Sequence, residues 1–250
     1  DYIMPPNSTI LHHRLGLPMS VAAFDYTLAC SGYIYGLFMA KAFIESKLLD
    51  NIILVTAEAY SKYINADDRG TVTLFGDGAA ATLIRRGEKG VGEIDLGTDG
   101  SGGDCFNIPA GGTRTPKSAE TGIETVDASG NTRTPEDIYM DGQAVLRLIK
   151  QQVPDCVRGV LNKSGYTCED ICLYVFHQSS KLSLDYLEKS LKLPAEKVWR
   201  NLERVGNTVS ASIPIAIRDA ELAGRIVPGN RLLLAGFGVG FSWGACVVDW

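Results

Sequence analysis

Three polar side chains lie where predicted elements begin or end, and their types suit chemistry on a thioester. Cys30 stands in Ala29-Cys30-Ser31-Gly32, between an apolar stretch and a helical pattern. His177 directly follows a short apolar run, and Asn207 lies within Gly206-Asn207-Thr208. A thiolate can attack an acyl carbonyl, while an imidazole and an amide can hydrogen-bond an enolate oxygen as it develops. Together the three residues indicate thioester chemistry that passes through an enolate.

Each of the three residues also has a purely structural interpretation. Cys30 fits a small-residue turn, His177 fits a satisfied histidine at a strand end, and Asn207 fits a helix N-cap. The turn at Cys30 resembles a nucleophile elbow, because Gly32 permits a sharp strand-to-helix bend. A position at a helix N-terminus predicts a lowered pKa for the Cys30 thiol.

The elements around Cys30 are predicted from hydrophobic periodicity. Residues Phe24–Ala29 read as a strand, and Ile34–Leu48 follow a helical pattern. The apolar run Asn51–Ala57 predicts a buried parallel strand. Thr71–Phe75 and Ala79–Ile84 predict two further strands around the turn Gly76-Asp77-Gly78.

The remainder of the chain is a long loop followed by a second α/β stretch. Residues 97–137 are rich in Gly, Thr, Ser and Pro and predict a loop, of the length found in lids, binding elements and disordered segments. A helix over Met140–Leu161 is expected to be kinked or divided at Pro154. The later predicted elements are a strand at Leu173–Phe176, a helix at Leu182–Leu191, a helix from Asn207 to Ala223, a strand at Asn230–Ala235 and a strand at Ser242–Val248.

Two stretches of the chain repeat one pattern of helix, apolar strand, loop and return strand. The first strand of this pattern recurs after 179 residues, from Asn51 to Asn230, and the second after 166, from Gly78 to Gly244. This predicts an α/β fold made of two copies of one unit, with mixed sheets covered by helices.

Composition excludes several classes of protein. Hydrophobic residues make up 45% and charged residues 21%, which argues against disorder. The apolar runs are too short to span a bilayer, and a net charge of -5 without a basic cluster argues against nucleic acid. Six cysteines are too few for a disulfide scaffold, and the one close pair, Cys168 and Cys172, lacks the second pair typical of zinc sites, so no metal site is predicted.

Six motifs resemble those of the β-ketoacyl-acyl-carrier-protein synthase III family of the thiolase-like superfamily. They occur in the family order and span essentially the whole chain: Ala29-Cys30-Ser31-Gly32, Asp68-Arg69-Gly70, Phe75 to Ala80, His177-Gln178, Gly206 to Ser212 and Phe237 to Gly244. The resemblance implies a thiolase-like five-layered α/β/α/β/α duplication. Residues 1–92 would form the remainder of an N-terminal half, and residues 93–250 a C-terminal half.

The resemblance also implies a decarboxylative Claisen condensation and a role for each site residue. Cys30 would take the acyl group from acyl-CoA, and the backbone N–H groups of Cys30 and Val239 would form the oxyanion hole. His177 and Asn207 would stabilise the enolate formed from malonyl-acyl-carrier protein. The product would be a 3-oxoacyl thioester for fatty acid or secondary-metabolite biosynthesis.

Residues around this centre are implied in the same way. Phe75 and Phe237 match positions at the acyl pocket, whereas Arg69 and Lys181 would lie at the mouth for coenzyme A or the carrier protein. No cofactor is expected beyond the coenzyme A and carrier-protein thioesters that serve as substrates. The expected state is a cytoplasmic homodimer with no nucleic-acid or membrane partner.

The sequence departs from the family pattern in four places. Val239 stands where the family commonly has a glycine, Leu182 where it often has an arginine, and Ser180 where it often has an asparagine. The loop from Pro109 to Pro135 is longer than in the short members of the family. The identity of the acyl donor is therefore left open.

Other condensing enzymes and a non-catalytic subunit remain as alternatives. Chalcone-synthase-like (type III polyketide synthase) enzymes share the Cys, His and Asn set, but usually have Pro-Gly after the histidine, where this chain has Gln178. Thiolases need a second cysteine that Cys246 does not match, and hydroxymethylglutaryl-CoA synthases need a glutamate acid/base that no motif marks. Some related chains that lack the cysteine serve as partner subunits, whereas this chain keeps Cys30, His177 and Asn207.

The start of the sequence carries a further expectation. In the family the cysteine lies about a third of the way along, whereas Cys30 follows only 29 residues. The comparison predicts that roughly 80 residues precede this chain in the family layout, and that they would complete the first half.

Overall fold

A mixed α/β arrangement organises the part of the chain that the computed structural model describes, residues 2–250. The helices are α1 (Asn7–Arg14), α2 (Gly32–Glu45), α3 (Arg69–Val72), α4 (Gly142–Ser164), α5 (Lys181–Ser190), α6 (Leu202–Val205) and α7 (Ser212–Leu222). The strands are β1 (Asn51–Glu58), β2 (Gly78–Arg85), β3 (Val91–Thr98), β4 (Phe106–Asn107), β5 (Thr125–Val126), β6 (Thr132–Arg133), β7 (Tyr139–Met140), β8 (Leu173–Phe176), β9 (Arg231–Gly238) and β10 (Ser242–Asp249).

The larger sheet has the strand order β3-β10-β9-β8. β8 runs parallel to β9, whereas β10 is antiparallel to both of its neighbours. All four residues of β8 and seven of the eight in β9 are buried, because helices cover both faces of these continuous apolar runs. This sheet carries His177 directly after β8.

The smaller sheet pairs β1 with β2 over their full length, from Asn51 opposite Arg85 to Glu58 opposite Gly78. The prediction of a buried parallel strand here was wrong. Within residues 2–250 the only partner of β1 is the antiparallel β2, and exposed residues alternate along both strands, so one face of the pair is uncovered.

Helices α2 and α7 lie between the two sheets and share one apolar cluster with both. Ile34 and Leu37 of α2 and Ile213 of α7 pack in this cluster with Leu54 of β1 and Leu234 of β9. On the other side of the larger sheet, α4 packs its amphipathic stripe against β9 and β10. Among the described residues, no helix is both long and apolar enough to cross a membrane.

The predicted duplication is visible in the structure. A 3-10 turn precedes α2 at Ala29–Ser31 and α7 at Val209–Ala211, and each turn begins with a non-glycine residue at positive φ. From these turns to the ends of β1 and β9, equivalent residues lie 180 positions apart (Ala29 and Val209, Glu58 and Gly238), not 179 as predicted. The starts of β2 and β10 lie 164 positions apart, not 166. The mixed α/β class predicted from the sequence is therefore confirmed.

Several predicted elements differ from those observed. Phe24–Ala29 forms no strand, and Thr71–Phe75 overlaps the short helix α3, whose N-cap is Asp68. Pro154 does not divide α4, and this helix remains continuous from Gly142 to Ser164. Residues 97–137 contain a 3-10 turn and the β5–β6 hairpin rather than an unstructured loop. The division of the chain at residue 92 stays a prediction, although β3, which begins at Val91, already belongs to the larger sheet.

Candidate active site

Cys30 lies in the strained 3-10 turn that precedes α2. The preceding residue, Ala29, has φ +43°, a left-handed conformation that costs a non-glycine residue about 1–3 kcal/mol. The turn is held in place by Ser31, whose Oγ lies 2.6 Å from the Oγ of Ser242 in β10. Cys30 itself is 2% exposed, so its thiol is fixed inside the protein.

Asn207 is fixed two residues before the equivalent turn of the second copy, Val209–Ala211. Its side-chain Oδ1 accepts a hydrogen bond from the backbone N–H of Val209 at 2.9 Å, and Val209 has φ +52°. Its backbone N–H donates to the carbonyl of Leu74, and its own carbonyl accepts from the N–H of Gly76. The Asn207 side chain therefore binds the first N–H of the 3-10 turn, whose N-cap is Thr208, while the helix proper begins at Ser212. The Nδ2 group of Asn207 remains as a donor.

His177 is held at the end of β8 with a neutral ring. Its backbone N–H donates to the carbonyl of Ala235 at 2.8 Å, and its ring meets the ring of Phe237 edge-on with 5.6 Å between centroids. The residue is 1% exposed, and burial lowers its pKa to about 3. Within residues 2–250 the Nδ1 atom has no hydrogen-bond partner. At neutral pH this imidazole can accept one proton and donate another.

These residues line one cavity of about 150 Å³. Cys30, His177, Asn207 and Phe237 all contribute to its wall, together with Gly238 at the end of β9. A Cβ atom added to Gly238 would lie 2.9 Å from the Cys30 Sγ, so only glycine leaves room for the thiol. The fold thus assembles the predicted nucleophile and both predicted donors around a single space.

The electrostatics of Cys30 differ from the sequence prediction. Burial raises the pKa of the Cys30 thiol, and the nearby Glu58 carboxylate raises it further. Hydrogen bonds from the backbone N–H groups of Cys30 and Val239 act in the opposite direction but are the smaller effects. The lowered pKa predicted from the helix N-terminus is therefore wrong, because desolvation outweighs these donors.

The predicted pocket and mouth residues are only partly brought to this cavity. Phe237 is in its wall, whereas Phe75 lies behind it, with its ring 6.0 Å from that of Phe106. Arg69 is exposed at the first residue of α3 and does not line the cavity. Lys181 is exposed, forms an ion pair with Asp185 at 2.7 Å, and borders a separate cavity of about 600 Å³ between α5, α6 and α7.

Sequence reasoning missed the part of the wall that the middle of the chain supplies. Phe106 is 5% exposed and pairs with Met140 in the short β4–β7 ladder, so the two ends of the long loop meet at the cavity. Val145 and Ile149 line it from α4. The apolar stripe of α4 contained the signal for these two residues, but no local pattern marks Phe106 or Met140.

Comparison with known proteins identifies the family. Residues 24–100 match the profile described as 3-oxoacyl-[acyl-carrier-protein (ACP)] synthase III, and residues 161–250 match its C-terminal profile. The β-ketoacyl-[acyl-carrier-protein] synthase III of Caldanaerobacter subterraneus subsp. tengcongensis is 38% identical, over 100% of this chain and 73% of the relative.

Solved structures agree with the sequence profiles. A 2.1 Å crystal structure of a 3-oxoacyl-(acyl-carrier-protein) synthase III superposes with a TM-score of 0.97 at 42% identity, covering 100% of this chain and 75% of the other. The synthase III of Thermus thermophilus gives a TM-score of 0.86 at 34% identity, covering 100% and 74%. The chain belongs to the 3-oxoacyl-[acyl-carrier-protein] synthase III family, and the predicted thiolase-like fold is confirmed.

Proposed function

We propose that this chain condenses an acyl-CoA starter with malonyl-acyl-carrier protein and releases carbon dioxide and a 3-oxoacyl product. The observation that carries the proposal is the convergence of Cys30, His177 and Asn207 on one buried cavity between the two copies. Membership of the synthase III family supports the same reaction and identifies the chain as an acyltransferase.

The first step transfers the acyl group to Cys30. The thiol is protonated at rest, so it passes its proton to the neutral His177 ring as the sulfur attacks the acyl carbonyl. The backbone N–H groups of Cys30 and Val239 stabilise the oxyanion of the tetrahedral intermediate. The bond from the acyl carbon to the coenzyme A sulfur then breaks, and coenzyme A leaves with the proton from the imidazole.

The second step forms the new carbon–carbon bond. The malonyl group loses carbon dioxide, and its electron pair remains as an enolate whose oxygen accepts hydrogen bonds from His177 and from Nδ2 of Asn207. Because burial keeps His177 neutral, it donates without introducing a full charge. The enolate carbon attacks the acyl carbonyl, the bond to Cys30 breaks, and the thiolate takes up a proton to restore the resting thiol.

We propose that two exposed basic side chains bind the substrates outside the cavity. Arg69 and Lys181 are both solvent-accessible, as a contact with the phosphates of coenzyme A or of the carrier protein requires. Phe75, behind Phe106, would act on the acyl pocket only through that ring. The reaction needs no cofactor or metal beyond these thioester substrates.

A homodimer in the cytoplasm is proposed on the family resemblance. Light scattering after gel filtration tests this part, and a monomer at micromolar concentration would refute it.

Incubation with a panel of acyl-CoAs, followed by intact-mass measurement, tests the first step. We expect one acyl mass on the unaltered chain and on Cys172→Ala, which removes an exposed cysteine, and none on Cys30→Ala. An adduct that persists in Cys30→Ala would overturn the nucleophile assignment. The absence of any adduct on the unaltered chain would favour a non-catalytic partner subunit.

A further inference from the structure

Glu58 is an acidic residue beside the nucleophile that the proposed chemistry does not use. It is the last residue of β1 and is partly buried, and its Oε1 accepts a hydrogen bond from the Ser210 hydroxyl at 2.6 Å. Burial raises the pKa of Glu58, and its charge raises that of Cys30, which opposes formation of the thiolate. Partial burial of this carboxylate costs free energy, and its charge hinders ionisation of the nucleophile. We therefore expect Glu58 to have a role that offsets these two effects.

A comparison of equivalent positions in the two copies indicates this role. Ser210 is 180 positions after Cys30, and Gly238 is 180 positions after Glu58, so the two pairs are equivalent. In one copy Gly238 leaves space for the thiol, and a Cβ there would lie 2.7 Å from the Cys30 Cβ. In the other copy the strand end carries a carboxylate instead, which binds the residue that corresponds to the nucleophile.

The hydrogen bond from Ser210 to Glu58 braces the turn that orients Asn207. Val209 is β-branched and has φ +52°, a conformation that persists only where its surroundings hold it. Val209 donates its backbone N–H to the Asn207 Oδ1, and the next residue, Ser210, donates its hydroxyl to Glu58. The turn is therefore held between its own asparagine and β1 of the other copy.

We propose that Glu58 is a positioning residue, whose hydrogen bond with Ser210 holds the Val209 turn so that the Asn207 amide faces the cavity. The inference rests on the proposed function for the role of Asn207 at the enolate. A carboxylate suits this task, because a charged acceptor forms a stronger hydrogen bond than a neutral one. The rival role is an effect of the Glu58 charge on Cys30, and the two roles differ in the half-reaction that they control.

Single-turnover measurements on variants separate the two roles. For Glu58→Ala and Ser210→Ala we expect release of carbon dioxide from malonyl-acyl-carrier protein to slow by about tenfold or more, because each loses the charge-assisted hydrogen bond. Acylation of Cys30 by acyl-CoA should stay within about threefold of the unaltered chain. Glu58→Gln keeps an acceptor oxygen and should recover most of the carbon dioxide release.

Two controls keep the test specific. Glu88→Ala removes an exposed carboxylate from the turn after β2 and should change neither half-reaction. The side-chain amide signals of Asn207, recorded by nitrogen-15 nuclear magnetic resonance and assigned with Asn207→Ala, report on the turn without any turnover. We expect them to shift or broaden in Glu58→Ala and Ser210→Ala, and to stay near their original positions in Glu58→Gln.

The outcomes separate this inference from the proposed function. If the unaltered chain releases no carbon dioxide, the proposed function fails, while the amide signals still decide the role of Glu58. The positioning role is overturned if those signals are unchanged in Glu58→Ala and Ser210→Ala. It is also overturned if Glu58→Gln and Glu58→Ala speed acylation alike while Ser210→Ala has no effect on either half-reaction, because the charge on Cys30 would then be the controlling factor.

Discussion

Burial leaves Cys30 and His177, the two groups proposed to exchange a proton, uncharged at rest. The pKa of the Cys30 thiol is raised, and that of the His177 imidazole is lowered to about 3. Both shifts disfavour a resting thiolate–imidazolium pair, so the proposed proton transfer to His177 across the cavity accompanies the bonding of the sulfur to the acyl carbon. The thiolate is then formed only when substrate is present to consume it.

The buried, neutral His177 also makes the stability of the fold depend on pH. Its folded-state pKa of about 3 lies below the unfolded value of about 6.5, so the unfolded chain binds the proton first as the pH falls. The stabilisation is present above pH 6.5 and is lost between pH 6.5 and 3. We expect the free energy of unfolding to fall by about 2 kcal/mol more in the unaltered chain than in His177→Asn between pH 7 and pH 5.

Urea unfolding at a series of pH values measures this difference. The matched control, His13→Asn, removes an exposed imidazole from α1 and should keep the full loss of the unaltered chain. Parallel pH curves for the unaltered chain and His177→Asn would contradict the account of a neutral, buried ring.

Gly238 is predicted to be essential for the nucleophile. In Gly238→Ala the new methyl group would lie 2.9 Å from the Cys30 Sγ and 2.7 Å from its Cβ, so the thiol must move. We expect acylation of Cys30 to slow by about tenfold or more, since overpacking of this kind costs about 1–3 kcal/mol. In the control, Gly100→Ala, the methyl group meets no atom within 4 Å, so acylation should be unaffected. Equal acylation rates for the two variants would refute the prediction.

The elements that follow from hydrophobic pattern were predictable, and those fixed by tertiary contacts were not. The apolar runs at 173–176 and 230–235 were predicted as strands, and both stay buried in the larger sheet. The second strand is longer than predicted, since β9 runs from Arg231 to Gly238. A strand was predicted from Thr71, but Asp68 caps the segment, and Thr71 and Val72 belong to the short helix α3 instead. Residues 24–29 form no strand, since within residues 2–250 no strand pairs with them.

The β5–β6 hairpin is tied to the start of α3 by a buried ion pair. Arg133 of β6 lies 3.0 Å from the carboxylate of Asp68, whose side chain is 1% exposed, and it also pairs with Asp127. Arg133→Ala leaves the Asp68 carboxylate buried without its cation, so we expect the free energy of unfolding to fall by about 2–3 kcal/mol. Urea unfolding tests this.

The matched comparison for that ion pair is an exposed one. Arg158→Ala breaks a pair with Asp155 in which the side chains are 54% and 74% exposed, and it should change the free energy of unfolding by less than about 0.5 kcal/mol. Adding Asp68→Asn to Arg133→Ala should recover part of the lost stability. Equal effects of Arg133→Ala and Arg158→Ala would show that the buried pair with Asp68 contributes no more to the free energy of unfolding than an exposed pair.

At the scale of the whole molecule, the two copies share one layer of helices. Leu54 of the small sheet and Leu234 of the large sheet pack into the same apolar cluster around α2 and α7. Neither copy can therefore unfold without exposing the other, and we expect a single cooperative transition. Far-ultraviolet and near-ultraviolet circular dichroism should give one midpoint in urea, and two separate midpoints would contradict the shared layer.

The three central site residues could be predicted from the sequence, whereas part of the wall of their cavity could not. Cys30, His177 and Asn207 are recognisable because short local motifs surround them, and the structure places all three at one cavity. Phe106 and Met140 reach the same cavity only through a pairing across the long loop, which no local pattern encodes. The contact between Glu58 and Ser210 joins residues from different copies and likewise requires the fold.

The most direct test of the whole account is a single-turnover experiment on the acylated enzyme. The chain is first loaded with an acyl group at Cys30, then mixed with malonyl-acyl-carrier protein, and the enzyme mass, the carbon dioxide and the carrier-bound product are followed together. We predict that the acyl mass leaves Cys30 as carbon dioxide and a 3-oxoacyl carrier appear in equal amounts. Asn207→Ala should retain the acyl mass without releasing carbon dioxide. His177→Ala should do the same once loaded, although its loading needs a longer incubation because it lacks the proton acceptor for acylation. An acyl group that stays on the unaltered chain, or carbon dioxide release that is undiminished in both variants, would contradict the account.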